Sequence, residues 1–206
     1  MFDSLIFMYE KGGWVTIAIL ICSILSLAIF FERIWSMRQK YVLPEEFFSR
    51  LIDLIREGKI DEALAISKEN KSSIANIAVA ALSHIDNPNM EKYMETQGKN
   101  EVAELEKNIS ILGLVATISP LLGLLGTVTG MIRMFHQVSI RGIGDHKFVA
   151  SGIWEALITT AAGLIVAIPS YVGYRYLISM ADRKALKLEQ ESERLREAII
   201  TQKKED

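Results

Sequence analysis

The residues with the clearest potential for chemistry are polar side chains inside two long apolar segments. Glu155 lies about seven residues, or roughly 10 Å of helix, inside its segment. An ionisable group at that depth requires a partner, water or a proton, so Glu155 is a candidate for proton transfer; a structural ion pair with Arg141 or Lys147 is the alternative. Hydroxyl groups are weaker evidence, because they can bond to the carbonyl one turn earlier. They include Thr117, Ser119, Thr127, Thr129, Thr159, Thr160 and Ser170.

Glycines and prolines lie beside these polar residues. No lysine or helix start accompanies the glycines, so a phosphate-binding loop is disfavoured. Gly126 and Gly130 instead place two small residues on one helix face, where a neighbouring backbone can approach closely. A proline frees a backbone carbonyl one turn earlier, so its face is expected to meet protein or a cavity rather than lipid. The predicted helix-packing residues are Gly123, Gly126, Gly130, Gly163, Pro120 and Pro169.

Other chemistry finds little support in the sequence. There is no Ser/His/Asp arrangement, no HExxH and no GxxxxGK[ST] motif, and His84, His136 and His146 are scattered. Cys22 is the single cysteine, and the net charge is −2. We therefore predict no catalytic residues, no enzyme activity, no metal or other cofactor, and no nucleic-acid partner.

Three segments are long and apolar enough to cross a lipid bilayer. Residues 12–31 and 108–132 carry no charge, and residues 148–174 carry only Glu155. The alternative, three helices buried in a soluble protein, requires every face to be covered within 206 residues, which a small domain cannot supply. Half of all residues are hydrophobic, which agrees with membrane insertion.

The distribution of positive charge predicts the orientation. Of 23 lysines and arginines, 11 lie in residues 32–107 and 8 in residues 175–206, so both segments are expected in the cytoplasm. The first span is expected to stay attached as an anchor, because Asp3 and Glu10 precede it and no small-residue cleavage site follows. The predicted organisation is a periplasmic N-terminus (1–11), a span (12–31), a cytoplasmic helical domain (32–107), a span (108–136), a periplasmic loop (137–147), a span (148–174) and a cytoplasmic helix (175–206).

Hydrophobic spacing predicts helices outside the spans as well. Between the first two spans, we expect one helix opened by Pro44, one capped by Asp61 and one over Ser73–Ile85. A helix from Met90 is expected to run unbroken into the second span, and the third span to continue to Ile200. In that continuation Leu186, Leu188, Leu195 and Ile199 indicate a helix packed on its neighbours, and a solvated charged helix is the alternative. The predicted class is an all-α membrane protein, with three transmembrane helices and long cytoplasmic helical extensions.

Two sequence stretches resemble a known family. TISPLLGLLGTVTGM at residues 117–131 and GIWEALITTAAGLIVAIP at residues 152–169 are similar to the ExbB/TolQ/MotA proton-channel family. Three spans with the large cytoplasmic segment between the first and second resemble the ExbB/TolQ branch, whereas flagellar MotA has four spans. The resemblance covers essentially the whole chain.

The resemblance carries specific expectations. It implies a homo-oligomer, a pentamer, whose central pore holds the single helices of an ExbD- or TolR-like partner with an essential membrane aspartate. Protons would be the coupling ion, and a TonB- or TolA-like protein would energise outer-membrane import or envelope maintenance. The location implied is the bacterial inner membrane. By the family's pattern, the proton pathway includes Thr127, Thr160 and Glu155.

Other functions remain possible on the sequence. A non-conducting scaffold would use its hydroxyls only to stabilise helix contacts, and a stator of a gliding- or flagellar-type motor would share the same motifs. A small transporter or intramembrane enzyme is disfavoured, because we find no inverted repeat, no paired catalytic carboxylates and no metal-binding constellation.

Overall fold

The chain is helical throughout its described secondary structure. The computed structural model describes residues 2–141 and 146–205, and their side chains at residues 14–38, 40–140, 150–154 and 156–203. In these ranges no strand occurs. The helices are α1 (Phe2–Ser36), α2 (Gln39–Val42), α3 (Glu45–Arg56), α4 (Ile60–Glu69), α5 (Ser73–Leu82), α6 (Met90–Glu106), α7 (Ile109–Arg141) and α8 (His146–Glu205).

Three helical stretches are long and apolar enough to cross a membrane. They are Trp14–Ser36, Met90–Ile140 and Ala150–Lys203. The prediction of an all-α membrane protein with three such stretches is therefore confirmed. The chain divides into two compact units, the first formed by Met1–Glu32 and Asn108–Tyr176 and the second by Arg33–Lys107 and Leu177–Asp206.

In the first unit, α1 buries one narrow stripe. Val15 and Ile19 pack against Ala162 of α8, and Leu122 and Val166 border this cluster. The opposite side of α1 is apolar and exposed, as hydrocarbon contact requires. Its exposed residues include Ile17, Leu20, Ile21, Ile24, Leu27 and Phe31.

The second unit has an ordinary hydrophobic core. Residues from α3 to α6 form most of it. The rest comes from the part of α8 after Tyr176, here called the α8 tail, whose Leu188, Leu195 and Ile199 are each at most 2% exposed. These three residues recur at intervals of seven and four, so they share one helix face. The alternative of a solvated charged helix is therefore wrong, although Leu186, also expected to pack, is exposed. The helix predicted to continue to Ile200 is confirmed, since α8 ends at Glu205.

Two local predictions are wrong. The helix from Met90 does not continue unbroken, because α6 ends at Glu106 and Asn108 adopts a left-handed conformation with φ 61° before α7 begins. Asparagine tolerates this conformation better than most residues, so no glycine was needed for the break. Asp61 does not cap α4, since Lys59 occupies that position and Asp61 lies in the first turn. There its negative charge still favours the helix N-terminus.

Candidate functional site

Small residues recur every three or four positions along both α7 and α8. Such spacing gives each helix one face with little side-chain volume, so that two backbones can approach closely. On α7 the series is Gly113, Ala116, Ser119, Gly123, Gly126 and Gly130, and on α8 it is Gly152, Ala156, Thr159, Gly163, Ala167 and Ser170.

The closest approach lies where three glycines meet the opposite helix. A β-carbon placed on Gly126 would lie 2.5 Å from the Cβ of Thr159. One on Gly123 would lie 2.9 Å from the carbonyl oxygen of Thr159, and one on Gly163 would lie 2.5 Å from that of Ser119. Real β-carbons do not approach heavy atoms this closely, so these positions require glycine. That they also line a pore stays a prediction.

The other predicted packing residues differ in their surroundings. A β-carbon on Gly130 would lie 3.6 Å from the Cβ of Ala156, an ordinary contact. Pro120 is half-buried, whereas Pro169 is exposed. The described residues of this chain therefore do not cover Pro169, which was expected to face protein.

Hydrogen-bond lengths separate the three threonines at this contact. Thr159 is 1% exposed and donates to the carbonyl oxygen of Ala156 at 2.8 Å, and Thr127 donates to that of Leu124 at 2.7 Å. Thr160 donates across the interface to the carbonyl oxygen of Gly123 at 3.4 Å. Since O–H···O bonds are normally 2.5–3.0 Å long, the hydroxyl of Thr160 is the least committed of the three.

Thr127 and Thr160 both lie at the margin of the α7–α8 contact. Each is half-buried, and each is adjacent to Gly123: Thr160 through its hydrogen bond, and Thr127 because it follows by four residues on the same side of α7. Glu155 lies in α8, but its side chain is outside the described residues. Five residues separate Glu155 from Thr160, which places it about 140° around the helix.

A pair of hydroxyl groups between α1 and α8 was not predicted from the sequence. Ser170 donates its single proton to the carbonyl oxygen of Val166 at 2.7 Å, so Ser26 must donate in the 2.6 Å bond between the two hydroxyls. Ser26 is seven residues after Ile19 on the buried stripe of α1, and this spacing was the available signal. Two further buried hydroxyls, those of Thr16 and Ser119, have no hydrogen-bond partner among the described residues.

Several charge pairs among the described residues lie in the second unit. The Arg196 guanidinium contacts Glu193 on α8 and, at 2.8 Å, Glu91 on α6, so it ties the α8 tail to the core. Its hydrogen bond holds the pKa of Glu193 below the usual range. Among the described residues, no group of three His, Cys, Asp or Glu side chains could hold a metal ion.

Comparison with known proteins places these helices in a family. Residues 69–190, more than half of the chain, match the MotA/TolQ/ExbB proton channel family. A Synechocystis protein named biopolymer transport protein ExbB-like 1 is 34% identical over 182 residues, which cover 85% of this chain and 71% of that protein.

Two further relatives match over shorter stretches. Biopolymer transport protein exbB1 of Vibrio cholerae is 44% identical over 87 residues, which cover 42% of this chain and 38% of that protein. The Tol-Pal system protein TolQ of Haemophilus influenzae is 43% identical over 77 residues, or 37% of this chain and 34% of that protein. The chain thus spans just over a third of these two relatives. With its three apolar helices and matched α7 and α8, the chain belongs to the ExbB/TolQ branch of the MotA/TolQ/ExbB proton channel family.

Proposed function

We propose that this chain is the proton-channel subunit of an inner-membrane energy-transducing motor. It would act with an ExbD/TolR-like single-span partner whose membrane aspartate carries the proton. The motor would couple the proton motive force to outer-membrane transport or envelope maintenance, through a TonB- or TolA-like protein. Protons are the coupling ion in this proposal, and no other cofactor takes part.

The observation that carries the proposal is the loosely held hydroxyl of Thr160 within the family match. The match spans all of α7 and the part of α8 that contains Thr160. A hydroxyl that donates over 3.4 Å gives up little when it turns to another acceptor. It can donate to an ionised carboxylate or accept from a protonated one, and it carries no charge that would trap an ion.

Thr127 has a narrower role in the proposal. Its proton is committed to Leu124 at 2.7 Å, but the oxygen retains the capacity to accept. It would therefore assist mainly the protonated form of a partner carboxyl. Glu155 is proposed at the outer mouth, where it would serve as a proton entrance or a contact between subunits.

The exposed faces of α7 support an assembly of several copies. Leu121, Leu124 and Val128 are each about half exposed in the single chain and flank Thr127. Other copies of the chain, in a homopentamer, or the helices of the partner would cover them. In this arrangement the N-terminus and the loop predicted at residues 137–147 face the periplasm, and the second unit faces the cytoplasm.

One set of contacts favours a second candidate, a non-conducting scaffold. The hydroxyls of Thr117, Thr127, Thr129, Thr159 and Ser170 all donate to carbonyls of their own helix. Hydroxyls used in this way need only stabilise helices. A scaffold would assemble with its partner normally and pass no protons.

Proton flux after reconstitution separates the two candidates. The chain is co-expressed with ExbD/TolR-like proteins of the same genome, and the complex that copurifies is placed in liposomes with a pH-sensitive dye inside. We expect proton entry when a potential, negative inside, is imposed, and no entry when the partner aspartate is replaced by asparagine. An assembled complex that admits no more protons than empty liposomes would support the scaffold instead.

A further inference from the structure

The segment that joins the end of α1 to α2 presents aromatic and basic side chains together. We name Trp35–Tyr41 the interfacial turn. Trp35 and Tyr41 are 58% and 45% exposed, and Arg38 and Lys40 are exposed as well. The Arg38 guanidinium lies over the Trp35 ring, 4.1 Å from its centroid, which orients a side chain that would otherwise be free to rotate.

Buried neighbours fix the direction of these side chains. Met37 within the turn and Val42 and Leu43 just after it are each at most 4% exposed, and Leu43 belongs to the core of the second unit. Two backbone bonds, from the Tyr41 amide to the Arg38 carbonyl at 2.9 Å and from the Met37 amide to the Arg33 carbonyl at 3.0 Å, keep the segment in tight turns. The buried residues of this segment thus fix its backbone and leave the aromatic and basic side chains exposed.

The first apolar stretch ends beside the interfacial turn. The stretch closes at Ser36, one residue after Trp35 and two before Arg38. Amphipathic rings such as tryptophan and tyrosine concentrate at the level of lipid headgroups. If the stretch crosses the bilayer, the cations of the turn are expected at the level of the lipid phosphates.

Arg38 and Lys40 also lack a protein counter-ion. Neither forms an ion pair with a carboxylate among the described residues. Several other cations of the second unit do, namely Lys59, Lys99, Lys107, Lys187, Arg194, Arg196 and Lys203. Among the described residues Arg50 and Arg56 of α3 do not, but no exposed aromatic ring at the end of an apolar stretch accompanies them. Two unpaired cations on one short turn make a site complementary to an anion.

We propose that the interfacial turn binds the headgroup of an anionic phospholipid in the adjacent leaflet. The planar guanidinium of Arg38, which lies over the Trp35 ring, donates hydrogen bonds to the phosphate, and Lys40 supplies the second positive charge. An anionic lipid satisfies both cations, whereas a zwitterionic lipid brings its own ammonium group to the same place. The proposal rests on the membrane helices and does not depend on proton conduction.

Fluorescence quenching by brominated lipids tests the site. The full-length chain carries Trp14→Phe and Trp154→Phe, so that Trp35 is the single tryptophan, and is placed in nanodiscs of mixed phosphatidylglycerol and phosphatidylcholine. Bromine is carried on the acyl chains of one lipid at a time. We expect stronger quenching from brominated phosphatidylglycerol, because each surface cation enriches an anionic lipid about fivefold. Equal quenching by both lipids overturns the proposal.

Matched variants locate the site and identify its ligand. Arg38→Gln with Lys40→Gln should abolish the preference, while Arg50→Gln with Arg56→Gln removes the same charge from the exposed face of α3 and should preserve it. Arg38→Lys should give an intermediate preference. Retention of the preference in the first double variant, or its loss in the α3 control, contradicts the assignment. Inorganic phosphate at constant ionic strength should not erase the preference; erasure would indicate a free-phosphate site and overturn the lipid proposal.

Discussion

The side chain of Thr159 occupies the space beside Gly126 in which a β-carbon would lie. Thr159 is 1% exposed and its hydroxyl is bonded to its own helix, so it cannot swing away without leaving a buried donor unpaired. The contact between these two residues therefore sets how closely α7 and α8 approach.

Gly126→Ala should weaken this contact, and Gly130→Ala should not. The first substitution overpacks the interface and should cost about 1–3 kcal/mol, whereas the second places a methyl group at an ordinary 3.6 Å from Ala156. Thermal unfolding of both variants in detergent checks the difference. Equal unfolding temperatures would contradict the packing described here. Gly130→Ala is the matched control, because it is the same substitution on the same helix.

Ser119→Ala should leave the protein as stable as before or more stable. The hydroxyl of Ser119 is fully buried and has no hydrogen-bond partner among the described residues, so its removal relieves a desolvation cost of about 1 kcal/mol or more. Ser26→Ala, by contrast, breaks a buried hydroxyl pair and should cost about 1 kcal/mol. Unfolding midpoints measured side by side test both changes. A marked loss of stability in Ser119→Ala would reveal a partner for that hydroxyl in the assembled protein.

Arg196→Gln should raise the pKa of Glu193 towards its ordinary value. The hydrogen bond from Arg196 is the main cause of the lowered pKa. A lowered folded-state pKa contributes stability above the unfolded pKa, and that stability is lost as the pH falls through the folded value. A carboxyl-resolved NMR titration measures the shift. Lys187→Gln, which removes an exposed pair with Glu45, should leave Glu193 unchanged; a similar shift in that variant would argue for long-range charge instead.

Arg33→Met should loosen the end of α6. Arg33 is 3% exposed and donates to the carbonyl oxygen of Glu104 at 2.9 Å, in the last turn of that helix. A cation there satisfies a free carbonyl and favours the helix C-terminus, and its loss should cost about 1.5–3 kcal/mol. Proteolysis after Lys107 should become faster. The exposed Arg50→Met variant serves as control, and unchanged cleavage in Arg33→Met relative to it would contradict the role.

The sequence predicted some features of this fold because they depend on long patterns. Uncharged runs indicated the three apolar stretches. Leu186, Leu188, Leu195 and Ile199 indicated a packed C-terminal helix, and all of these but Leu186 are buried. The break at Asn108 was missed because a single residue in a left-handed conformation leaves no periodic signal. Likewise, Asp61 has the residue type of a cap, but Gly58 turns the chain with φ 74° and α4 begins at Ile60, two residues earlier than a cap at residue 61 allows.

For the candidate site, residue types predicted which positions pack closely, but not which residues contact each other. Gly123, Gly126 and Gly163 were identified as packing positions from their lack of a side chain. That Gly126 meets Thr159, while Thr160 reaches Gly123, depends on the rotation of α8, which sequence spacing alone does not fix. The Ser26–Ser170 pair joins residues 144 positions apart, and no local pattern connects them.

The central claim is that the hydroxyl of Thr160 takes part in proton movement. Thr160→Val keeps the shape of the side chain and removes only the hydroxyl, which crosses a weak 3.4 Å contact, so assembly should survive. Thr129→Val is the control, because that hydroxyl bonds only within α7, to Leu125 and Gly126.

Proton flux in liposomes, measured on complexes of equal partner content, tests the claim most directly. We expect Thr160→Val to abolish partner-dependent flux, Thr127→Val to reduce it less, and Thr129→Val to leave it near the unsubstituted level. Full flux through an assembled Thr160→Val complex would contradict the account.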